Sequence, residues 1–436
     1  MRTSKNIENI SIPEFKKNLL NWAQQYEHVV WLDSNTNDPQ LNASDFEAIL
    51  AVGCEKELHM NSENAFNELK SFQKRTNDYL FGYFGYDLKN DIENLTSTNF
   101  DGLSFSDLRF FQPKKLFFIS GNSVNVKYIS KYEMEISTDF EDILNFHQLD
   151  RSSLIENSEI KIKLRIHKDE YFNKVNRILD HIHRGDIYEV SFCQEFYAEN
   201  VEINPLKVYD NLNDISSPPF ASFLKMNDHF LLSASPERFL KRKENKVVSQ
   251  PIKGTIRRGT SKIEDEKLKE SLQSDLKERA ENIMIVDLVR NDLSRTAKKG
   301  TVEVSELCKV YSFKQVHQLI STVLSEVEPE KNSIDIIKSM FPMGSMTGAP
   351  KIAAMKIIED LEETKRGLYS GAVGYFTPTG DFDFNVVIRS ILYNAKNKYV
   401  SYSVGGAITA KSIPENEYEE CLLKAKAMRE VLLSTN

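Results

Sequence analysis

The sequence predicts an α+β fold built on antiparallel sheets. Two apolar runs, Gly371 to Phe376 and Asp383 to Tyr393, lie side by side around Thr379-Gly380, and Pro113 to Ile129 reads as two strands around Gly121-Asn122. Strands joined by tight turns pair antiparallel. Beyond the helical periodicity of Lys168 to Arg184 strands alternate with long helices, but the adjacency of these strand pairs in sequence favours antiparallel pairing over a doubly wound parallel sheet.

At 436 residues, with 40% hydrophobic and 28% charged residues, the chain can bury a substantial core without disulfide or metal staples. The net charge of -8 comes from interspersed acids, and no Lys/Arg stripe stands out. No nucleic-acid partner is therefore expected; a small ligand is. Cys54, Cys193, Cys308 and Cys421 are widely spaced, which suits reduced thiols, offers no zinc-ligand spacing and leads us to expect a cytoplasmic location. The opening Met1-Arg2-Thr3-Ser4 lacks an apolar export segment and no run is long enough to span a bilayer, so neither export nor membrane insertion is expected.

Along the chain, an N-terminal region (residues 1–132) mixes helical runs with short strands, among them the aromatic stretch Tyr79-Leu80-Phe81-Gly82-Tyr83-Phe84-Gly85-Tyr86. Residues 133–160 are polar and acidic without sustained apolar periodicity, and are expected to form a linker. The remainder, 161–436, opens with a helix whose Tyr171, Val175, Ile178, Leu179 and Ile182 share one face and whose end is capped by Gly185. Beyond it, strands are expected at Leu231 to Ala234, Lys246 to Pro251, Phe382 to Tyr393 and Tyr399 to Val404, and helices at Ser261 to Leu293, Pro350 to Leu361 and Glu415 to Leu433.

Several groups could carry chemistry. Glu278 with Glu281, and Glu417 with Glu420, are pairs three residues apart, each on one helix face. Two such faces converging would grip a hard cation, although the same spacing fits solvated helices. Lys253 follows an apolar strand and precedes Gly254; burial there would lower its pKa and free the amine, whereas a surface lysine would simply be solvated. Ser345 and Thr347, ahead of Pro350 and Lys351, and the backbone of Gly405-Gly406-Ala407 form small-residue stretches able to cradle a carboxylate or to be plain turns. Arg389 lies inside an apolar strand and needs an anion, either a ligand or a protein carboxylate. His317 is either a proton carrier or a satisfied core residue.

In order, Gly185-Asp186-Ile187-Tyr188, Ser233-Ala234-Ser235-Pro236-Glu237-Arg238, Pro251-Ile252-Lys253-Gly254-Thr255, Arg279-Ala280-Glu281-Asn282, Asp287-Leu288-Val289-Arg290-Asn291-Asp292, Gly348-Ala349-Pro350-Lys351 and Pro414-Glu415-Asn416-Glu417-Tyr418-Glu419-Glu420 resemble the chorismate-utilising enzymes, with Gly82-Tyr83-Phe84-Gly85-Tyr86-Asp87 agreeing more loosely. The resemblance implies two large antiparallel sheets packed as a sandwich, peripheral helices outside, and the site in the cleft between them. It further implies Mg²⁺ held by Glu281 and Glu420 with Glu278 and Glu417 close by; chorismate held by Arg389, Tyr375 and Gly405-Gly406-Ala407 with Ser345, Thr347 and Lys351 nearby; and Glu237 as general acid with His317 beside it. Lys253 separates the branches: the anthranilate, isochorismate and salicylate synthases carry alanine there, whereas Pro-Ile-Lys-Gly-Thr is similar to the aminodeoxychorismate synthases. That branch implies a covalent lysine intermediate, ammonia as second substrate and a glutamine amidotransferase subunit as partner. Glu189 departs from the branches, where water-adding members carry lysine and amine-adding members usually glutamine. Anthranilate synthase component I and a non-catalytic chorismate-binding regulatory subunit are the alternative readings.

Overall fold

The computed structural model describes residues 1–35, 45–146, 160–314 and 316–434. Every strand pairing among them is antiparallel, apart from an isolated parallel bridge between Phe100 and Thr364. The network divides at the long strand Leu108–Ser120, which pairs with Ala48–Met60 along one side and with Leu80–Phe84 and Ser123–Ile129 along the other. One arm runs from Ala48–Met60 through His28–Asp33, Phe220–Met226, His229–Ser235, Ser390–Asn394 and Tyr399–Thr409 to Glu189–Glu199. The other runs from Leu80–Phe84 through Ala372–Phe376, Phe382–Val386, Arg238–Lys243 and Lys246–Gln250 to Val316–Glu326, which also carries Ile252–Arg257 and Glu303–Ser312. Strands of residues 1–132 thus pair directly with strands of the C-terminal region.

The arms face one another because their side chains alternate. Val30, Leu224 and Leu231 enter one core with Phe84, Phe376 and Phe384 of the other arm and Phe110 of the dividing strand, while Val29, Trp31, Phe223 and Leu232 enter a second core under helices Ile12–Ala23, Lys168–Arg184, Pro205–Ser216 and Pro414–Ser434. Phe84 lies 4.9 Å from Phe110 and 5.2 Å from Phe384, ring centre to ring centre, so its truncation to Ala would cost about 3–5 kcal/mol. The expected α+β fold of packed antiparallel sheets with outer helices is therefore present.

The Lys168–Arg184 helix ends as expected at Gly185, at φ 85, and Gly121 turns the hairpin at φ 59. Three expectations need correction. Residues 133–160 contain a helix, Glu135–Leu144, held by buried Ile136 and Ile143 and by the hydrogen bond from Tyr128 to Asp139; residues 147–159 of the expected linker lie outside the described residues. The helix expected over Ser261 to Leu293 is two, Lys262–Ser274 and Leu276–Ser294. Between them Asp275 is extended, and its carboxylate accepts from the Lys277 and Glu278 N–H groups, starting a new helix in a new direction. The strand expected over Phe382 to Tyr393 is broken at Arg389, whose φ of 53 lies in the left-handed region and interrupts the pleat. All four cysteines are free, and among the described residues no helix is long and apolar enough to cross a membrane.

Candidate active site

Four elements converge. Strand Ile252–Arg257 presents Lys253, whose Nζ stands 3.7 Å from Glu189 Oε1 at the start of strand Glu189–Glu199; Glu189 is 1% exposed and the lysine side chain 17%. Helix Leu276–Ser294 brings Glu278 and Glu281 to the same space, and helix Pro414–Ser434 brings Glu417 and Glu420. Gly406 lies directly against the acids: a Cβ there would come 3.4 Å from Glu417 Oε2, 3.6 Å from Glu420 Oε1 and 3.8 Å from Lys424 Nζ. At Gly254, φ 96 and a would-be Cβ 3.2 Å from Glu278 leave room for glycine alone.

Burial of carboxylates in this space raises their pKa values, Glu281 to about 7, with Glu278 and Glu417 also raised. Burial works in the same sense on Glu420, but its ion pair with Lys424 at 2.5 Å, aided by Lys253 and Lys277, outweighs it and leaves that carboxyl below its usual range. Lys253 reverses the expectation from its sequence. Burial acts to lower its pKa, yet the carboxylates of Glu189, Glu281, Glu420 and Glu278 prevail and raise it, so the amine is an ammonium among acids.

Across the cleft, Arg389 has no carboxylate in ion-pair reach among the described residues, and its guanidinium gives one long hydrogen bond of 3.5 Å to the Lys424 carbonyl. Burial pushes its pKa down, with Tyr369 and Glu420 pulling the other way. A guanidinium so placed is a receptor for an anion. The cleft beside it is lined by Ala234, Pro236, Gln318 and Lys424. Next along the chain from Pro236, Glu237 is 5% exposed; its carboxyl is raised to about 7 by burial, against the opposing pull of the hydrogen bond from Ser345 Oγ at 2.7 Å and of the Lys253 charge.

The structure separates other expected members from this group. Tyr375 is not brought to Arg389: it stacks on Phe81 at 5.3 Å and lines a different cleft with Asp33, Phe220 and Asn385. The tyrosine that Arg389 feels is Tyr369. His317 is turned away, because successive residues of a strand face opposite sides. Val316 and Gln318 face the cleft, while His317 Nε2 meets Asp265 at 3.0 Å and Nδ1 meets Ser312 at 2.8 Å. Thr347, fully buried, donates to the Met343 and Gly344 carbonyls and closes its own turn. Lys351 is committed to Asp292 at 2.5 Å and to the Met340 carbonyl, so it braces the loop rather than offering a free cation. Lys424, which donates to the Gly405 carbonyl at 2.8 Å, was missed although its spacing of four from Glu420 was readable.

Among the described residues, no three His, Cys, Asp or Glu side chains close on one point as a ready-made metal group. The donor set nonetheless fits a hard cation that keeps part of its water shell. All four donors are carboxylates, two per helix; Glu281 Oε1 is buried without a hydrogen-bond partner, and glycine backbone leaves the space beside Glu417 and Glu420 open.

The chain is 35% identical over 374 residues to anthranilate synthase component 1 of Acetivibrio thermocellus, covering 81% of this chain and 75% of that one. It is 38% identical over 253 residues to aminodeoxychorismate synthase component 1 of Escherichia coli strain K12, covering 58% and 55%. It is 41% identical over 273 residues to aminodeoxychorismate synthase of Streptomyces griseus, covering 62% of this chain and 37% of that one. Its structure superposes on anthranilate synthase component I of Streptococcus pneumoniae with a TM-score of 0.76 at 28% identity, covering 87% and 91%. With MenF, the menaquinone-specific isochorismate synthase of Escherichia coli, the TM-score is 0.77 at 16% identity, covering 99% and 95%, a likeness of fold. The sequence profile of the chorismate binding enzymes matches residues 27–430, and the chain belongs to that family.

Proposed function

We propose that this chain is the large subunit of an aminodeoxychorismate synthase, converting chorismate and ammonia to 4-amino-4-deoxychorismate. The observation that carries the reading is Lys253: a primary amine directed into the acid-lined cleft, at a strand end, within 3.7 Å of a buried carboxylate. In the reaction the Lys253 nitrogen bonds to C2 of the ring, the two ring double bonds shift, and the C4–O bond breaks. Glu237, raised to about 7, carries the proton that lets the C4 oxygen leave as water. Ammonia then bonds to C4, the double bonds shift back and the C2–N bond to Lys253 breaks, releasing the amine, and the ammonium formed at C4 returns a proton to Glu237, restoring the enzyme. Arg389 and the Gly405-Gly406-Ala407 backbone are the seat for substrate carboxylate, with Lys424 alongside.

Mg²⁺ is the cation that suits the glutamates, with Glu281 and Glu420 as its ligands and Glu278 and Glu417 acting directly or through water. Bound there, it would supply positive charge to the acids and to an anionic substrate. With the field of Glu281, Glu420 and Glu278 offset, Lys253 would be left between burial, which favours its neutral amine, and Glu189, which favours the ammonium. Glu189, whose Oε2 is buried without a partner, is the nearest acceptor for the departing proton. A glutamine amidotransferase subunit would deliver ammonia; ammonium salts would replace it in the isolated chain.

Mass-spectrometric identification of the product from chorismate, Mg²⁺ and ammonium salts tests the reading. 4-Amino-4-deoxychorismate supports it. Anthranilate with pyruvate would instead select an anthranilate synthase, and binding without turnover even with the amidotransferase would select a regulatory subunit.

A further inference from the structure

The Ile252–Arg257 strand pairs with Val316–Glu326 through a break in register: Ile252 opposes Ile320 and Thr255 opposes Gln318, so Lys253 and Gly254 together face Leu319. Such a bulge takes carbonyls off the regular ladder and re-aims a side chain. A single group answers for it. Asn282 Nδ2 donates to the Lys253 carbonyl at 3.1 Å and to the Leu319 carbonyl at 3.2 Å. Its Oδ1 receives the Ser321 hydroxyl at 2.5 Å and the Cys308 thiol at 3.6 Å, and the Cys308 N–H donates in turn to Ser321 Oγ at 2.9 Å. Carbonyls only accept, so the amide can sit one way round alone, and both its donors and its acceptor are used. Asn282 is 1% exposed, and Ser321 and Cys308 are fully buried.

We infer that Asn282 is a positioning residue for Lys253: it clips the bulge to the helix turn that also presents Glu278 and Glu281, so that the amine and the acids are held as one rigid body. The inference rests on the reading of Lys253 as nucleophile. Asn282 follows Glu281 directly and lies four residues, one helical turn, beyond Glu278. Its removal would take the amide's hydrogen bonds away from both carbonyls and release the bulge that aims Lys253. Ser321 matters one step further out, because its hydroxyl fixes the amide that does the clipping.

The test compares wild type, N282A, S321A and K253A. Wild type, N282A and S321A are read by the rate at which acetic anhydride modifies Lys253 in the absence of chorismate, followed by peptide mass spectrometry, and all four by kcat and KM with chorismate and ammonium. N282A is expected to label at Lys253 about tenfold faster, the change that a loss of 1.4 kcal/mol of hold produces. Its kcat should fall about 100-fold with KM for chorismate within about threefold, as for a misaimed reacting group. S321A should move both readouts in the same direction by less, and it decides the matter if N282A does not fold. Wild-type labelling and kcat in a folded N282A, or in S321A should N282A not fold, would overturn the inference. K253A separates the two claims. Turnover in K253A would defeat the nucleophile reading while the labelling comparison still judges the clip; a dead K253A beside an unaltered N282A would defeat the clip alone.

Discussion

Lys253 Nζ and Glu189 Oε1 stand 3.7 Å apart, the lysine near the start of strand Ile252–Arg257 and the glutamate buried at the head of its own strand. This pairing holds the amine in its charged form until the surrounding field changes. Glu189→Gln should therefore lower the pKa of Lys253. The pH dependence of Lys253 acetylation, measured by peptide mass spectrometry, should move its midpoint to lower pH; an unmoved midpoint would show that Glu189 contributes nothing to the amine.

Glu281→Gln and Glu420→Gln remove one carboxylate from each helix face. Each is expected to raise the Mg²⁺ concentration for half-maximal activity by about tenfold or more, equivalent to 1.4 kcal/mol of binding. Titration of activity against Mg²⁺ checks this, and indifference of both variants would remove the cation from these residues.

Among the described residues Arg389 has no carboxylate in ion-pair reach, and the proposed function assigns its anion to the substrate. Arg389→Gln should weaken chorismate binding by about 10–100-fold, the loss of charge-assisted hydrogen bonds of roughly 1.5–3 kcal/mol. Equilibrium binding by calorimetry is the measurement. Tyr375→Phe, which alters the other cleft, should leave that affinity unchanged.

Glu237 gives a pH signature with a definite sign. Burial raises its carboxyl from 4.5 to about 7, so between those values the folded chain holds a proton that the unfolded chain releases. Its contribution to stability is complete below the unfolded value and is lost as pH rises through about 7. In Glu237→Gln that loss disappears, so the melting temperatures of the two proteins should diverge as pH rises from about 4.5 to about 7, wild type falling relative to the variant, with no further divergence above 7. Without its acid, the variant's kcat should drop by roughly 10²–10⁴-fold.

What could be read in advance follows physical lines. Gly185 and Gly121-Asn122 announced a helix end and a hairpin because their chemistry is local, and the spacing of Glu278 with Glu281 and of Glu417 with Glu420 placed each pair on a helix face. The break at Asp275 was equally local, an acid able to cap the N–H groups that follow, yet apolar periodicity ran through it and hid it. His317 and Gln318 show the limit of strand reading: neighbours differ by a face, and only the register with Ile252–Arg257 tells which of them meets the cleft. Lys253 shows the limit for electrostatics. Its own surroundings argue for a depressed pKa, and the four carboxylates that raise it arrive from distant parts of the chain. Arg389 needed a left-handed backbone to leave its strand, which no propensity announces for arginine.

The decisive measurement is a trap of the covalent step: incubate the protein with chorismate and Mg²⁺ in the absence of ammonia, then map the adduct by peptide mass spectrometry. The expected result is chorismate less one water on the peptide containing Lys253, discharged on adding ammonium salts. An unmodified Lys253, together with undiminished C4 amination by Lys253→Ala, would contradict it.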